Sequence, residues 1–177
     1  NWVMKRPISL EDVKLNWTGT GQSLPWRWEG LADVLRKECG LKIINNPTYR
    51  LIKVERGPSL TFTLSSYEKF IETCSALEWE LGLAIAKRFK GLKEQDIDLD
   101  LIKRLVREGE LKLREKVEPL DLSNRSAAVG INTLTVIREG GSAYALIHHR
   151  GMEVAESMGA IHVIPAGTFQ PTDREDR

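Results

Sequence analysis

At Ser65 the hydrophobic period of the chain changes from two to 3.6, and this switch constrains the fold more than any other feature. Tyr49 to Glu55 alternates side to side, the turn Arg56-Gly57-Pro58-Ser59 reverses the chain, and Leu60, Phe62 and Leu64 continue the alternation. Period two puts successive side chains on opposite faces, so the pair reads as a β-hairpin with one apolar face. Ser65-Ser66-Tyr67-Glu68 then has the Ser-x-x-Glu spacing of a capping box. Behind it Tyr67, Phe70, Ile71, Cys74, Leu77, Leu81, Ile85 and Phe89 recur on one broad helical face, ended by Gly91. Such a helix hides its apolar stripe by crossing the hairpin, and the stripe reads as core rather than a cofactor box. The expected class is α/β in the α+β sense, a mixed β-sheet with flanking helices.

Upstream, Asn1 to Lys14 is polar with scattered apolar residues, and Pro7 argues against a helix through it. Trp17, Trp26 and Trp28 flank a loop holding Gly19, Gly21 and Pro25. A ring there could stack on a base, but three Trp residues near a terminus more often pin a loop to the core. Trp28 to Cys39 carries Leu31, Val34 and Leu35 at helical spacing and ends at Gly40, which suits a left-handed cap. Downstream, Leu92 to Val117 is the most charged section, with a helix expected from Asp98 to Arg107 on a stripe of Leu99, Ile102, Leu105 and Val106. Lys112, Arg114 and Lys116 alternate with Leu111, Leu113 and Val117, which fits a basic strand edge, a phosphate-facing surface or a solvated face. Glu118-Pro119 and polar Asp121 to Ser126 mark a boundary between an α/β extension over 1–118 and a second unit over 119–177.

Composition removes several function classes. Lys and Arg total 26 against 25 for Asp and Glu, so a formal charge of +1 supplies no bulk attraction to nucleic acid or to a membrane surface. A nucleic-acid module would rest only on Lys112, Arg114, Lys116 and the Trp loop. No run approaches the ~18 apolar residues of a membrane span, and the N-terminus has no signal-peptide core, so the cytoplasm is the expected location. Cys39 and Cys74 each lie in an apolar helical pattern and read as buried thiols rather than a disulfide. The sequence begins with Asn1 rather than Met, so a longer protein is expected. Homodimerisation stays open.

The second unit is the richest in β-branched residues. Val129 to Ile137 reads as one largely buried strand, Gly140-Gly141 as a turn, Ala143 to His149 as its partner and Ala160 to Ile164 as a third strand. His148 and Arg150 fall on one side of that extended chain and His149 on the other. Arg150 offers a planar fork of donors to phosphate oxygens and His148 a further hydrogen bond, with Gly151 leaving the backbone open beside them. The bland alternative is a strand end entering solvent. A metal site from His148, His149 and His162 is less attractive, because adjacent histidines on a strand diverge.

Val129-Gly130-Ile131-Asn132-Thr133-Leu134, Ala145-Leu146-Ile147-His148-His149-Arg150 and Ile161-His162-Val163-Ile164-Pro165-Ala166-Gly167 resemble the opening half of a Nudix domain over 124–171. Pro165-Ala166-Gly167 stands where that family commonly has Pro-Gly-Gly. Pro47 to Leu51 and Ser66-Tyr67 resemble an N-terminal extension of some bacterial Nudix-like proteins, one that shapes or covers the ligand pocket. The resemblance implies a pyrophosphohydrolase that uses Mg²⁺ to cleave a nucleoside diphosphate derivative. It places His148, Arg150 and Gly167 at the substrate, with Gly167 opening the metal motif and Asp173 as a stand-in for its first acid. The glutamate-bearing helix of the family has no counterpart before Arg177. Either it follows Arg177, or the chain is a non-catalytic nucleotide sensor or partner-binding protein on an incomplete Nudix-like sheet.

Overall fold

The computed structural model describes residues 9–19, 21, 23–55, 57, 59–89, 98–118, 121–154 and 159–171. The fold is α+β, as the change of period requires. The hairpin forms from β2 (Pro47–Glu55) and β3 (Ser59–Ser66), antiparallel, with a register shift between Leu51 and Lys53. A short strand, β1 (Lys14–Trp17), adds to β3 in parallel, so β3 is the middle strand. The polar stretch before the Trp loop gave no clear strand signal in the sequence, because only four residues pair and all four face solvent.

The hairpin has the expected apolar face, on which Tyr49, Leu51, Phe62 and Leu64 lie and Phe62 is buried, but its most buried face is the opposite, polar one. Thr48, Arg50 and Thr63 are at most 1% exposed, whereas Leu64 on the other face is 40% exposed. Arg50 is the reason. Its Nη2 donates to the carbonyls of Leu122 (3.1 Å) and Ser123 (2.8 Å), which belong to a 3₁₀ turn at Leu122–Asn124. Burial lowers the Arg50 pKa, yet guanidinium begins so far above neutrality that it stays charged. Carbonyl dipoles therefore take the place of water around it, each such charge-assisted bond worth more than a neutral one.

Asp121 shapes the turn that receives Arg50. Its Oδ1 accepts the Ser123 amide at 2.9 Å and its Oδ2 the Asn124 side-chain amide at 2.5 Å. Nearby, Ser126 is fully buried, with its amide donating to Thr73 Oγ1 (2.9 Å) and its hydroxyl 2.5 Å from that of Ser65. The outer edge of β2 is then closed by the following chain. Leu51 donates to Ala127, Arg50 bridges Ala128, and Tyr49 donates to Phe169. Pairing in this way removes an open edge that would otherwise invite aggregation.

The apolar core is mainly helical. Helix α1 (Leu31–Glu38) buries Leu31, Ala32 and Leu35 against Ile71 and Ala76, with Trp28 and Trp79 at the margin. Helix α2 (Tyr67–Phe70), a π turn (Ile71–Ser75) and α3 (Ala76–Arg88) make one continuous helical run. The π turn inserts a residue and rotates the face, so Glu72, Thr73 and Ser75 are buried and Cys74 is half-buried. The cap falls on Ser66, whose hydroxyl accepts the Lys69 amide, one position after the capping box read from sequence. Ser65 is engaged by Ser126, and Glu68 turns to Arg36 at 2.5 Å.

A second cluster joins Ala84 and Ile85 to Leu101 and Leu105 of α4 (Leu99–Arg107) and to Leu111. Asp98 caps α4 through the Leu101 amide at 2.7 Å; Leu99 in the first turn is 63% exposed, and the stripe is Leu105 as expected with Leu101 added, Ile102 and Val106 packing at its margin. Lys112–Lys116 is a short helix, α5, rather than a basic strand. The Leu113 amide donates to Glu80, and buried Leu111 anchors its start; Lys112 and Lys116 are exposed on one side, while Arg114, also exposed, donates to the Leu77 carbonyl at 3.2 Å. Cys39 is exposed rather than buried, because it ends an eight-residue helix whose last buried position is Leu35. No helix among the described residues is long and apolar enough to cross a membrane.

Two outcomes test this arrangement. Arg50→Ala removes the donor from two carbonyls and leaves a cavity, so urea denaturation should show a loss of about 2–4 kcal/mol. Hydrogen bonds from Ser123 hold the Asp121 carboxyl below its ordinary 3.8. A lowered folded pKa stabilises above the unfolded value and stops doing so as pH falls through the folded one. Thermal melts of wild type and Asp121→Ala should therefore differ at pH 5 and converge near pH 2, the wild type having lost its advantage.

Candidate functional site

The chain from 130 to 168 forms three antiparallel ribbons. β4 (Gly130–Asn132) pairs with β9 (Ala166–Thr168), β5 (Val136–Glu139) with β6 (Ser142–Ala145), and β7 (Ile147–His149) with β8 (Ile161–Val163). Val129 to Ile137 is thus two strands and not one, and it is far more exposed than expected, with Ile131 at 50% and Leu134 at 59%. Thr133 and Thr135 cause the break. The Thr133 amide donates to Pro165 (2.9 Å) and the Thr135 hydroxyl to Ile164 (2.6 Å), which draws this stretch onto the turn before β9. Ala143 to His149 also divides, at Leu146, whose amide donates to Thr135.

In the β7–β8 ladder His148 stands opposite His162. Period two puts this pair on one face and Ile147, His149 and Ile161 on the other. The imidazole centroids of His148 and His162 are 6.0 Å apart with their planes at 61°, and both residues are half-buried. His162 Nδ1 lies 3.0 Å from the Val163 carbonyl. A carbonyl only accepts, so the proton sits on Nδ1 and the Nε2 lone pair is left available. His148 Nδ1 is buried with no hydrogen-bond partner among the described residues. Arg150 extends the ladder by one step through its amide and the Ala160 carbonyl (2.9 Å), which turns its side chain toward the His148 face. Its Nε is likewise buried without a hydrogen-bond partner among the described residues.

The structure sets His162 opposite His148, and the Arg150–Ala160 backbone pairing continues the ladder, so that period two puts Arg150 on the same side. Adjacent His148 and His149 do diverge. What spacing alone could not reveal was the register: matching Ala143–His149 antiparallel to Ala160–Ile164 is the step that sets His162 opposite His148. Gly167 lies apart from this cluster, on β9 opposite Ile131. A Cβ built there meets nothing within 4 Å, and its φ is not in the left-handed region. The backbone itself does not require glycine at this position. Asp173 lies outside the described residues.

The donor set decides which ion the cluster suits. Imidazole and guanidinium nitrogens are not the hard oxygen ligands that Mg²⁺ takes. Among the described residues no group of three or more His, Cys, Asp or Glu side chains is placed to hold a metal. The nitrogen donors of this cluster thus do not themselves fit Mg²⁺.

Phe169 ties this platform to the hairpin. Its amide donates to Val129 and its carbonyl accepts from Tyr49, while its ring sits 4.7 Å from Tyr49 and 5.6 Å from Phe62. Trp17 closes the aromatic group edge-on to Tyr49 at 5.4 Å. Trp28 pins its loop to the helical core through its ring and through its amide, which donates to the Glu72 carbonyl at 2.9 Å. Glu72 Oε1 also accepts the Gly30 amide at 2.8 Å. In comparisons with known proteins, no family model, curated protein or solved structure matches the chain.

Since the fold places no demand on Gly167, Gly167→Ala should change unfolding stability by no more than ~0.5 kcal/mol. A larger loss in urea denaturation would show that β9 needs the glycine for packing.

Proposed function

We propose that the chain binds a nucleoside diphosphate derivative through the face formed by His148, Arg150 and His162. The observation that carries this reading is a pair of facing imidazoles on β7 and β8, in a ladder that Arg150 continues by one step, with His148 Nδ1 and Arg150 Nε buried and without a hydrogen-bond partner among the described residues. Buried polar nitrogens are costly unless a partner arrives, and a phosphate offers several acceptor oxygens at once. Arg150 supplies a planar fork to the anion, and His148 Nδ1, in the tautomer that carries a proton there, donates a further hydrogen bond. The Nudix resemblance points to the same chemistry from the sequence of β7 and of the turn before β9.

Two versions of this function differ in what the site does after binding. The hydrolytic version is a Nudix-like pyrophosphohydrolase, which needs Mg²⁺ held by carboxylates outside this cluster; Gly167 would open that motif and Asp173 would stand in for its first acid. The sensing version binds the nucleotide without turnover. The donors gathered here are nitrogens and not carboxylates, so the cluster serves binding in both versions.

Calorimetric titration with ADP-ribose should show binding that weakens at least ~10-fold in Arg150→Ala, equivalent to ~1.4 kcal/mol, and is unchanged in His149→Gln. Absence of binding at millimolar ligand would remove the proposal. Release of AMP when Mg²⁺ is added would select the hydrolytic version.

A further inference from the structure

The same two histidines of the β7–β8 ladder offer a second chemistry, beyond the nucleotide reading. From its geometry we infer that His148 and His162 form a two-histidine chelate for a borderline divalent transition-metal ion. Three observations support it. First, an antiparallel register sets the two imidazoles directly across from each other on one face, with centroids 6.0 Å apart. A metal–nitrogen bond of ~2.0–2.1 Å places each ring centroid about 3.2 Å from the ion, so two imidazoles have centroids about 5.2 Å apart on tetrahedral Zn²⁺ and about 4.5 Å apart in adjacent positions of tetragonal Cu²⁺. Side-chain rotations close either difference without moving the strands.

Second, His162 is already in the tautomer a ligand requires. Its Nδ1–H is given to the Val163 carbonyl at 3.0 Å, the outer-shell contact that fixes ring orientation and leaves Nε2 as a ligand. Third, His148 Nδ1 is buried with no hydrogen-bond partner among the described residues, a state that a metal or a proton donor would relieve. Two imidazoles suit Cu²⁺ and Zn²⁺, with Cu²⁺ the tighter, and do not suit Mg²⁺. With two protein ligands the remaining positions are open to water or to an anion. The two rings are half-buried, so the ion has access from solvent.

The test uses the whole chain with metal alone. Titration with CuCl₂, ZnCl₂ and MgCl₂ should give one site for Cu²⁺, a weaker one for Zn²⁺ and none for Mg²⁺. His148→Gln and His162→Gln should each weaken Cu²⁺ binding by at least ~10-fold, the scale on which even outer-shell partners act. His149→Gln, on the opposite face, should not. The chain has only three histidines, so these variants cover them all. Unchanged binding in either of the first two variants would overturn the inference, as would loss in His149→Gln alone. If circular dichroism shows a variant unfolded, the Cu²⁺ electron paramagnetic resonance spectrum of the wild type decides, because coupling to two imidazole nitrogens is expected and coupling to fewer overturns the site. Nucleotide is absent throughout, so failure here leaves the binding proposal standing, and the reverse holds too.

Discussion

A buried guanidinium received by backbone carbonyls is the interaction on which the arrangement of this protein depends. Arg50 reaches from the middle of β2 to the Leu122 and Ser123 carbonyls, and the turn carrying them is itself shaped by Asp121. Everything that joins the hairpin to the chain after 121 lies within a few residues of that contact. Ser126 docks on Thr73 and Ser65, Ala127 and Ala128 close the edge of β2, and Phe169 adds to the same edge. A charged group buried in this way is costly if its acceptors move, so the turn and the strand are fixed relative to each other. The donor face on β7 and β8 is tied to the rest through Phe169 and Val129 at this junction and through the Glu153 carbonyl, which accepts the Lys42 amide at 2.7 Å.

That face rests on slender supports. Two-stranded ribbons are marginal in water without packing on a further layer. In β5–β6 the apolar side chains are exposed on both faces, since Val136 and Ile137 point opposite ways and stand at 49% and 48% exposure. The helical clusters, by contrast, bury Leu105 and Leu111 completely. Local stability is therefore expected to be high around α3 and α4 and low in the ribbons, where a bound ion or anion adds stability by mass action.

The sequence disclosed the parts whose signal is local. Alternation gave the hairpin, the Ser-x-x-Glu spacing gave the start of the long helix to within a position, and the spacing of His148 and Arg150 put them on one side of the strand. It concealed whatever depends on long-range pairing. Arg50 read as one more polar position in an alternating strand, because its acceptors lie some seventy residues away in sequence. The π turn rotated the buried face of the long helix, and nothing in the apolar spacing announces an inserted residue. Lys112 to Lys116 alternated like a strand, but Leu111 and Leu113 are set by packing and by Glu80 into a helix. His162 escaped the site for the same reason as Arg50: its partner is chosen by register. The class of the site came from the Nudix resemblance as much as from the side chains, and the carboxylates that resemblance calls for are not in the cluster.

Native-state hydrogen exchange on Arg50→Met measures the central claim directly, because methionine fills much of the side chain's volume without donating to the turn. The account predicts that the amides of Tyr49, Leu51, Ser126 and Phe169 lose protection together, with Arg150 following, while those of α4 keep theirs. Loss of protection confined to the turn at Leu122–Asn124, with Leu51 and Phe169 unchanged, would contradict it.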